Sequence, residues 1–324
     1  MFNKQLVTIT LLLGGCAVPA WCTAQTDNYP AKTVRIIAPF PPGGSVDTVG
    51  RMIAARLTES YGQTFVIDNR SGASGNIGME LAANAAGDGY TLVVNTIPLV
   101  TNQFLYGKVP YDVIRDFAPV SLLTGTATAC IVHPSLPVRS VRDLIELART
   151  RGNLLNYGSA GPGTNPHIAG ELFNYLAKTN IAVIHFKGGG PAMIAAMSGE
   201  VGIGFPALPD TLAHVRSGKL RAIGVTSVKR APQLPDVPPI GDTLSGYEFT
   251  TWQGLLAPKN TPRVIVTALS ERIRKQLGAP DQIKRFNDSG LDIIASTPDE
   301  FAAHLKKEID KWGKVIKQRG MKAD

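Results

Sequence analysis

Cysteine is scarce: the 324-residue chain has three, and two of them, Cys16 and Cys22, fall within its first two dozen residues. Removal of an N-terminal leader would leave Cys130 alone, which excludes an intrachain disulfide framework and makes the hydrophobic core responsible for the fold. Cys130 lies between Ala129 and Ile131, a setting for a buried, inert thiol rather than a nucleophile. Charge is also thin, 18% of residues against a usual ~25%. Lys and Arg outnumber Asp and Glu by 33 to 25, a net +8, yet the basic residues are scattered and form no block, so nucleic acid is not an expected partner. After Ala24 no apolar run approaches the ~18–20 residues that span a bilayer. Signature motifs are missing too. There is no G-x4-G-K-[ST], no G-x-G-x-x-G after a strand, no G-x-S-x-G and no H-E-x-x-H, which weakens nucleotide-binding, hydrolase and zinc-protease readings.

What is present begins with an export signal. Lys4 is a positive n-region, Leu6 to Val18 an apolar core, Pro19 its break, and Cys22-Thr23-Ala24 a small-residue cleavage site. Cleavage after Ala24 and a soluble periplasmic protein are expected; the alternative is a lipoprotein box at Leu13-Gly14-Gly15-Cys16, with Cys16 acylated. The length suits two lobes. Beyond the leader, short β-branched runs alternate with amphipathic stretches: strands at Val34–Ala38, Thr64–Asp68 and Thr91–Asn95, helices at Val46–Tyr61 and Asn76–Ala86. A second set follows, with strands at Ala129–His133, Leu155–Tyr157, Ala182–Phe186, Gly202–Phe205 and Leu220–Thr226, and helices at Val141–Arg149, Pro166–Ala177 and Pro191–Ser198. Ala231–Gly241, with four prolines, reads as an extended surface loop. A strand at Phe249–Leu256 and helices at Pro262–Leu277, Asp281–Asp288 and Pro298–Lys317 close the chain. The pattern predicts α/β lobes built on mostly parallel sheets. The late helices need a sheet to cover, so the chain is expected to cross twice, near Leu123–Thr128 and Tyr247–Gly254. Lobe 1 is then 25–124 plus 252–324, lobe 2 is 125–251, and a cleft lies between them.

Three strands run into glycine-rich loops that open helices. The first is Phe40-Pro41-Pro42-Gly43-Gly44-Ser45, with Ser45 as N-cap and Asp47 in the first turn. The second is Ser159-Ala160-Gly161-Pro162-Gly163-Thr164-Asn165-Pro166-His167, with Asn165 as cap. The third, Lys187-Gly188-Gly189-Gly190-Pro191, carries a lysine at its lip, and Ser71-Gly72-Ala73-Ser74-Gly75 is a fourth glycine-rich turn. Free N–H groups at a helix start attract anions, and glycine lets a ligand approach the backbone. The plainer alternative is that the glycines only permit tight βα turns. Phe40, Phe205 and Trp252 sit beside Pro or Gly at strand ends and suit pocket walls, with core packing an equal reading for Trp252. His167 and Glu171 have metal-ligand spacing but no evident third ligand, and read as a helix-start ion pair. His133, His185, His214 and His304 are isolated in the sequence and read as structural or exposed.

The segments Tyr29–Asp47 (YPAKTVRIIAPFPPGGSVD), Asp68–Gly78 (DNRSGASGNIG), Tyr157–Gly163 with His167, Phe186–Ala192, Gly218–Thr226 and Gly254–Pro258 resemble, in order and spacing, the Bug/TctC family of periplasmic solute-binding proteins of tripartite tricarboxylate transporters. The resemblance covers nearly all of the chain after the leader. It implies a type II periplasmic-binding-protein fold, a Venus flytrap of two α/β lobes joined by two crossover hinges, closing on a small carboxylated organic solute. It maps one binding loop to Gly43, Gly44, Ser45 and Asp47, and the other to Ser159, Ala160, Gly161, Gly163, Thr164 and His167. Phe40, Ser71, Lys187 and Phe205 join them as candidates from the loop and aromatic readings. The two loops carry no Arg or Lys, so neutralisation would rest on helix N-termini and hydroxyls. The implied protein is a monomeric, non-catalytic receptor without metal or cofactor, serving an integral-membrane permease or the periplasmic domain of a sensor kinase. The competing classes are a periplasmic hydrolase using Ser159 or Ser45, and an amino-acid receptor of an ATP-driven transporter.

Overall fold

The computed structural model describes residues 28–151 and 154–323, so the leader and both of its cleavage readings lie outside the described residues. The chain opens with β1 (Val34–Ala38), α1 (Ser45–Tyr61), β2 (Phe65–Asn69), α2 (Asn76–Ala83), β3 (Thr91–Asn95), α3 (Pro98–Leu105) and β4 (Phe117–Ala127). It continues through β5 (Ala129–Val132), α4 (Val141–Arg151), β6 (Asn156–Ser159), α5 (Asn165–Ala177), β7 (Ala182–His185), α6 (Gly189–Ser198), β8 (Ile203–Gly204), α7 (Leu208–Arg216) and β9 (Arg221–Val225). The last part is β10 (Thr250–Pro258), α8 (Arg263–Leu277), α9 (Pro280–Asp288), β11 (Asp292–Ile293) and α10 (Pro298–Arg319).

These strands form two sheets, one ordered β11-β4-β10-β3-β1-β2 and the other β7-β6-β8-β5-β9. In the first, β1 pairs in parallel with β2 and β3 and is covered on both faces, which is why its sequence is a continuous apolar run. Ile36 packs with Val49, Ile53 and Leu57 of α1, whereas Ile37 joins Met79, Phe301 and Trp312 on the other face. The apolar residues of α1 recur every three or four positions, and Gly62, left-handed at φ 68°, ends the helix. The terminal helices cover this same sheet: α8 packs on α1 and β4, and α10 on α3 and β4.

Both sheets are mixed rather than mostly parallel. β10 runs antiparallel to β3 and β4, and β5 antiparallel to β8 and β9. The cause is topological: the chain leaves the first sheet along β4 and re-enters along β10, so the two long strands run in opposite directions. The passages are tied together. Thr128 N–H donates to Thr226 Oγ1 at 2.8 Å, Thr226 N–H returns to the Thr128 carbonyl at 3.0 Å, and Phe249 N–H donates to the Thr226 carbonyl at 2.9 Å.

Several sequence readings need correction. β4, α3, α7 and β11 were not visible as periodic runs. The 231–241 stretch is anchored rather than superficial, with Ala231, Leu234 and Ile240 buried. Trp252 is a core residue, edge-on to Phe301 and donating Nε1–H to Glu308, which Trp312 also reaches. Cys130 is fully buried, and burial alone pushes its thiol far up, out of the range of a nucleophile.

Candidate functional site

A cavity of about 150 Å³ lies between the sheets, at the carboxyl ends of β1, β3, β6 and β7. The lobe built on the first sheet contributes Phe40, Pro41, Pro42, Gly44, Ser45, Thr96 and Pro98. The other lobe contributes Gly158, Ala160, Thr164, Asn165 and the glycines of the third loop, with Ile131, Ile203 and Gly204 behind them. The lobes touch at the rim. Thr101 Oγ1 donates to the Gly163 carbonyl at 3.1 Å, and a Cβ on Gly188 would stand 3.3 Å from Pro41.

The helix starts around this space are uncapped. Gly44, Thr164 and Gly188 are the N-caps of α1, α5 and α6, each one residue or more before the position read from sequence, and none provides a side-chain cap. Thr164 Oγ1 is spent on the Gly161 carbonyl, at 2.6 Å. Among the described residues, the N–H groups of Gly44, Ser45, Val46, Asn165, His167, Gly189 and Gly190 have no intramolecular acceptor. By contrast α10, remote from the cavity, has a full capping box between Thr297 and Glu300. All of these residues except His167 line the cavity, so unpaired donors and the positive ends of three helices surround one place, an arrangement suited to an anion.

Other N–H groups in the loops are committed to keeping the loops in shape. Gly43 N–H donates to Asp47 Oδ2 at 3.0 Å, Gly161 N–H to Ser159 Oγ at 3.1 Å, and Gly163 N–H to His167 Nδ1 at 2.9 Å. Gly161 and Gly163 have φ of 126° and 72°, and a Cβ on Gly163 would fall 2.7 Å from Leu105 and 2.8 Å from Asn102 Oδ1, so only glycine fits this turn against α3.

Buried charge follows from those commitments. Burial raises the Asp47 carboxyl, but Arg51, the Gly43 N–H and Asn69 together outweigh it and hold the group below the usual carboxylate range. Burial, then the neighbouring His185, pushes the His167 imidazole down to about 3, so the ring is neutral with its proton on Nε2 and its Nδ1 lone pair on Gly163. A neutral ring makes no ion pair with Glu171, correcting that reading; Glu171 accepts from Tyr157 OH at 2.9 Å. His185 is not isolated: its ring stands edge-on to His167 at 4.8 Å, and its Nδ1 lies 2.8 Å from Ser159 Oγ.

Of the residues singled out from sequence, Phe40, Gly44, Ser45, Ala160 and Thr164 line the cavity together. Gly43, Asp47, Gly161, Gly163 and His167 stand behind them and shape the loops. Ser159 is fully buried with Oγ engaged by Gly161 and His185; it ends β6 and does not line the cavity, whereas Gly158 before it and Ala160 just after the strand do. Ser71 and Lys187 are exposed and lie off the cavity wall. Phe205 packs in the core, its ring edge-on to Tyr157. Sequence reasoning missed Thr96, Pro98 and Asp210. The first two follow β3 and carry a legible signal, a strand end followed by a proline at a helix start; Asp210 opens a short helix with no periodic run to announce it. Among the described residues no group of three or more His, Cys, Asp or Glu could hold a metal ion, and no helix is long and apolar enough to cross a membrane.

Two α/β lobes around a cavity, crossed twice by the chain and lined by uncapped helix starts, define a solute-binding receptor. The family model described as tripartite tricarboxylate transporter family receptor, TctC, matches residues 49–321, and the chain belongs to that family. Protein BugT of Bordetella pertussis is 33% identical over 322 residues, covering 98% of this chain and 97% of BugT. The structure of R. palustris Rpa4515 with adipate matches at 36% identity and a TM-score of 0.88, covering 91% of this chain and 99% of its own. MatC from Rhodopseudomonas palustris with bound malate matches at 30% identity and a TM-score of 0.84, covering 89% and 100%.

Proposed function

We propose that the protein is a periplasmic receptor that captures a small carboxylate at the starts of α1, α5 and α6 and presents it to the membrane subunits of a tripartite transporter or to a sensor. The observation that carries this is the set of unpaired N–H groups at three uncapped helix starts, one from the first lobe and two from the other, around one cavity. Family relatives holding adipate and malate support it. Gly44, Ser45, Asn165 and Gly189 would supply donors, with Ser45 and Thr96 hydroxyls beside them, while Gly43, Asp47, Gly161, Gly163 and His167 act by positioning. We read lobe 1 as 25–124 plus 252–324 and lobe 2 as 125–251, moving about the tied Thr128 and Thr226 passages as the cavity opens and closes. The reading is non-catalytic: Ser159, the serine bonded to a histidine, is buried and does not line the cavity, and Ser45, which lines it, has no histidine or carboxylate hydrogen-bonded to its hydroxyl among the described residues. Export through the leader, with cleavage after Ala24, belongs to the same proposal.

Native mass spectrometry of protein purified without denaturation tests it. The expected result is a non-covalent adduct that denaturation releases as a small organic acid. A released solute without a carboxylate, or an acyl adduct on Ser45 or Ser159, would contradict it.

A further inference from the structure

Among the described residues Asp210 is the one titratable side chain lining the cavity; Lys187 on the third loop lies off the wall. It sits in the first turn of α7, where a carboxylate commonly reaches back to the N-cap, but the N-cap here is Ala207 and no side-chain cap bond forms. Among the described residues its carboxylate makes no hydrogen bond or ion pair, while its own N–H donates to the Ala207 carbonyl. The neighbouring elements present Ile131, Ile203, Gly204, Met193 and Ala196 to the same space, none of them able to donate from a side chain. The titratable groups on the segments packed around it are Lys187 on the third loop, Glu200 before β8, His214 and Arg216 later in α7, and Asp288 and Asp292 flanking the turn against Leu208; none lines the cavity.

Resting on the carboxylate reading above, we infer that Asp210 selects the far end of the ligand, so that the receptor takes a short acid carrying a protonated nitrogen in preference to a second carboxylate. The helix starts offer only donors and suit an acid; Asp210 offers only acceptors and suits an ammonium. A second carboxylate brought near an unpaired, half-buried carboxylate is repelled, whereas an ammonium gains a charge-assisted hydrogen bond. Burial raises the Asp210 carboxyl to about 6, so it is charged at pH 8 and largely protonated near pH 5.5.

Calorimetry on the whole chain with hexanoate, 6-aminohexanoate and adipate, and with the matching four-carbon set, tests this in the wild type and Asp210→Asn. At pH 8 the wild type should bind the amino acid of at least one set about tenfold or more tighter than the plain acid and the diacid. That preference should shrink toward pH 5.5 and be absent, at either pH, in Asp210→Asn. The variant should fold: a raised carboxyl costs the unliganded protein stability as pH rises through 6, so the amide should melt no lower than the wild type at pH 8. If a plain acid binds and the amino end brings no gain that Asp210→Asn removes, this inference is overturned and the carboxylate reading stands. If no probe binds in either set, the carboxylate reading fails and this inference with it.

Discussion

Gly44→Ile is expected to abolish binding of small acids while leaving the fold intact. Gly44 has φ −82° and ψ 169°, extended backbone that a β-branched residue adopts readily, and the nearest atom to a Cβ there is the Pro41 carbonyl oxygen at 3.9 Å. The Cβ therefore has room, and the branched side chain it carries should crowd the approach to the N–H groups of Gly44, Ser45 and Val46. Affinity should fall roughly a hundredfold or more, about 2.7 kcal/mol, with a melting temperature within about two degrees of wild type. Gly161→Val is a poorer version of the same test, because φ 126° would strain any side chain and a lost fold would be mistaken for a lost site.

Asp47→Ala is expected to cost both stability and affinity without touching the ligand. Its buried carboxylate gathers the Gly43 N–H, Arg51 and Asn69, and Asn69 in turn donates to the Phe40 carbonyl, so one side chain ties the first loop to α1 and β2. Losing these charge-assisted bonds should cost roughly 2–3 kcal/mol, discounted below a fully buried pair because Arg51 is half-exposed. A chain of this size should then melt about 3–5 °C lower. The sign with pH follows from the lowered carboxyl. Its stabilisation is present above the unfolded value, ~3.9, and is lost as pH falls through the lower folded value. The gap between wild type and Asp47→Ala should therefore be constant from neutral pH down to about 4 and close below it.

What could be read from the sequence divides along one physical line. β1 and β3 were legible to the residue because each is a short, buried, β-branched run, and α1 because its apolar face repeats at helical spacing. β4 was not, because its last turns of sequence, Thr124-Gly125-Thr126-Ala127, are small and polar. Those side chains are buried through hydrogen bonds, Thr124 to Gln253 and Thr126 to the Gly290 carbonyl, and hydropathy patterning does not register burial of that kind. The site divides similarly. Glycine-rich loops before helices marked the cavity walls, since free backbone N–H groups at helix starts suit an anion and glycine leaves them open. Which loop residues face the cavity was hidden, because that depends on strand alternation and on hydrogen bonds formed only in space. Ser159 bonded to His185, His167 bonded to Gly163, and Asp47 bonded to Gly43 are all one layer behind the wall. Asp210 had no signal beyond a proline before it.

Whether backbone donors at three helix starts hold an ionised carboxylate is decided by titrating the wild type with the solute released in native mass spectrometry and with its methyl esters. Esterifying the carboxylate that faces α1 and α5 removes the negative charge and an acceptor while keeping the shape of the rest. This ester is expected to bind at least about a hundredfold more weakly than the free acid. An ester that binds as tightly as the acid would contradict it.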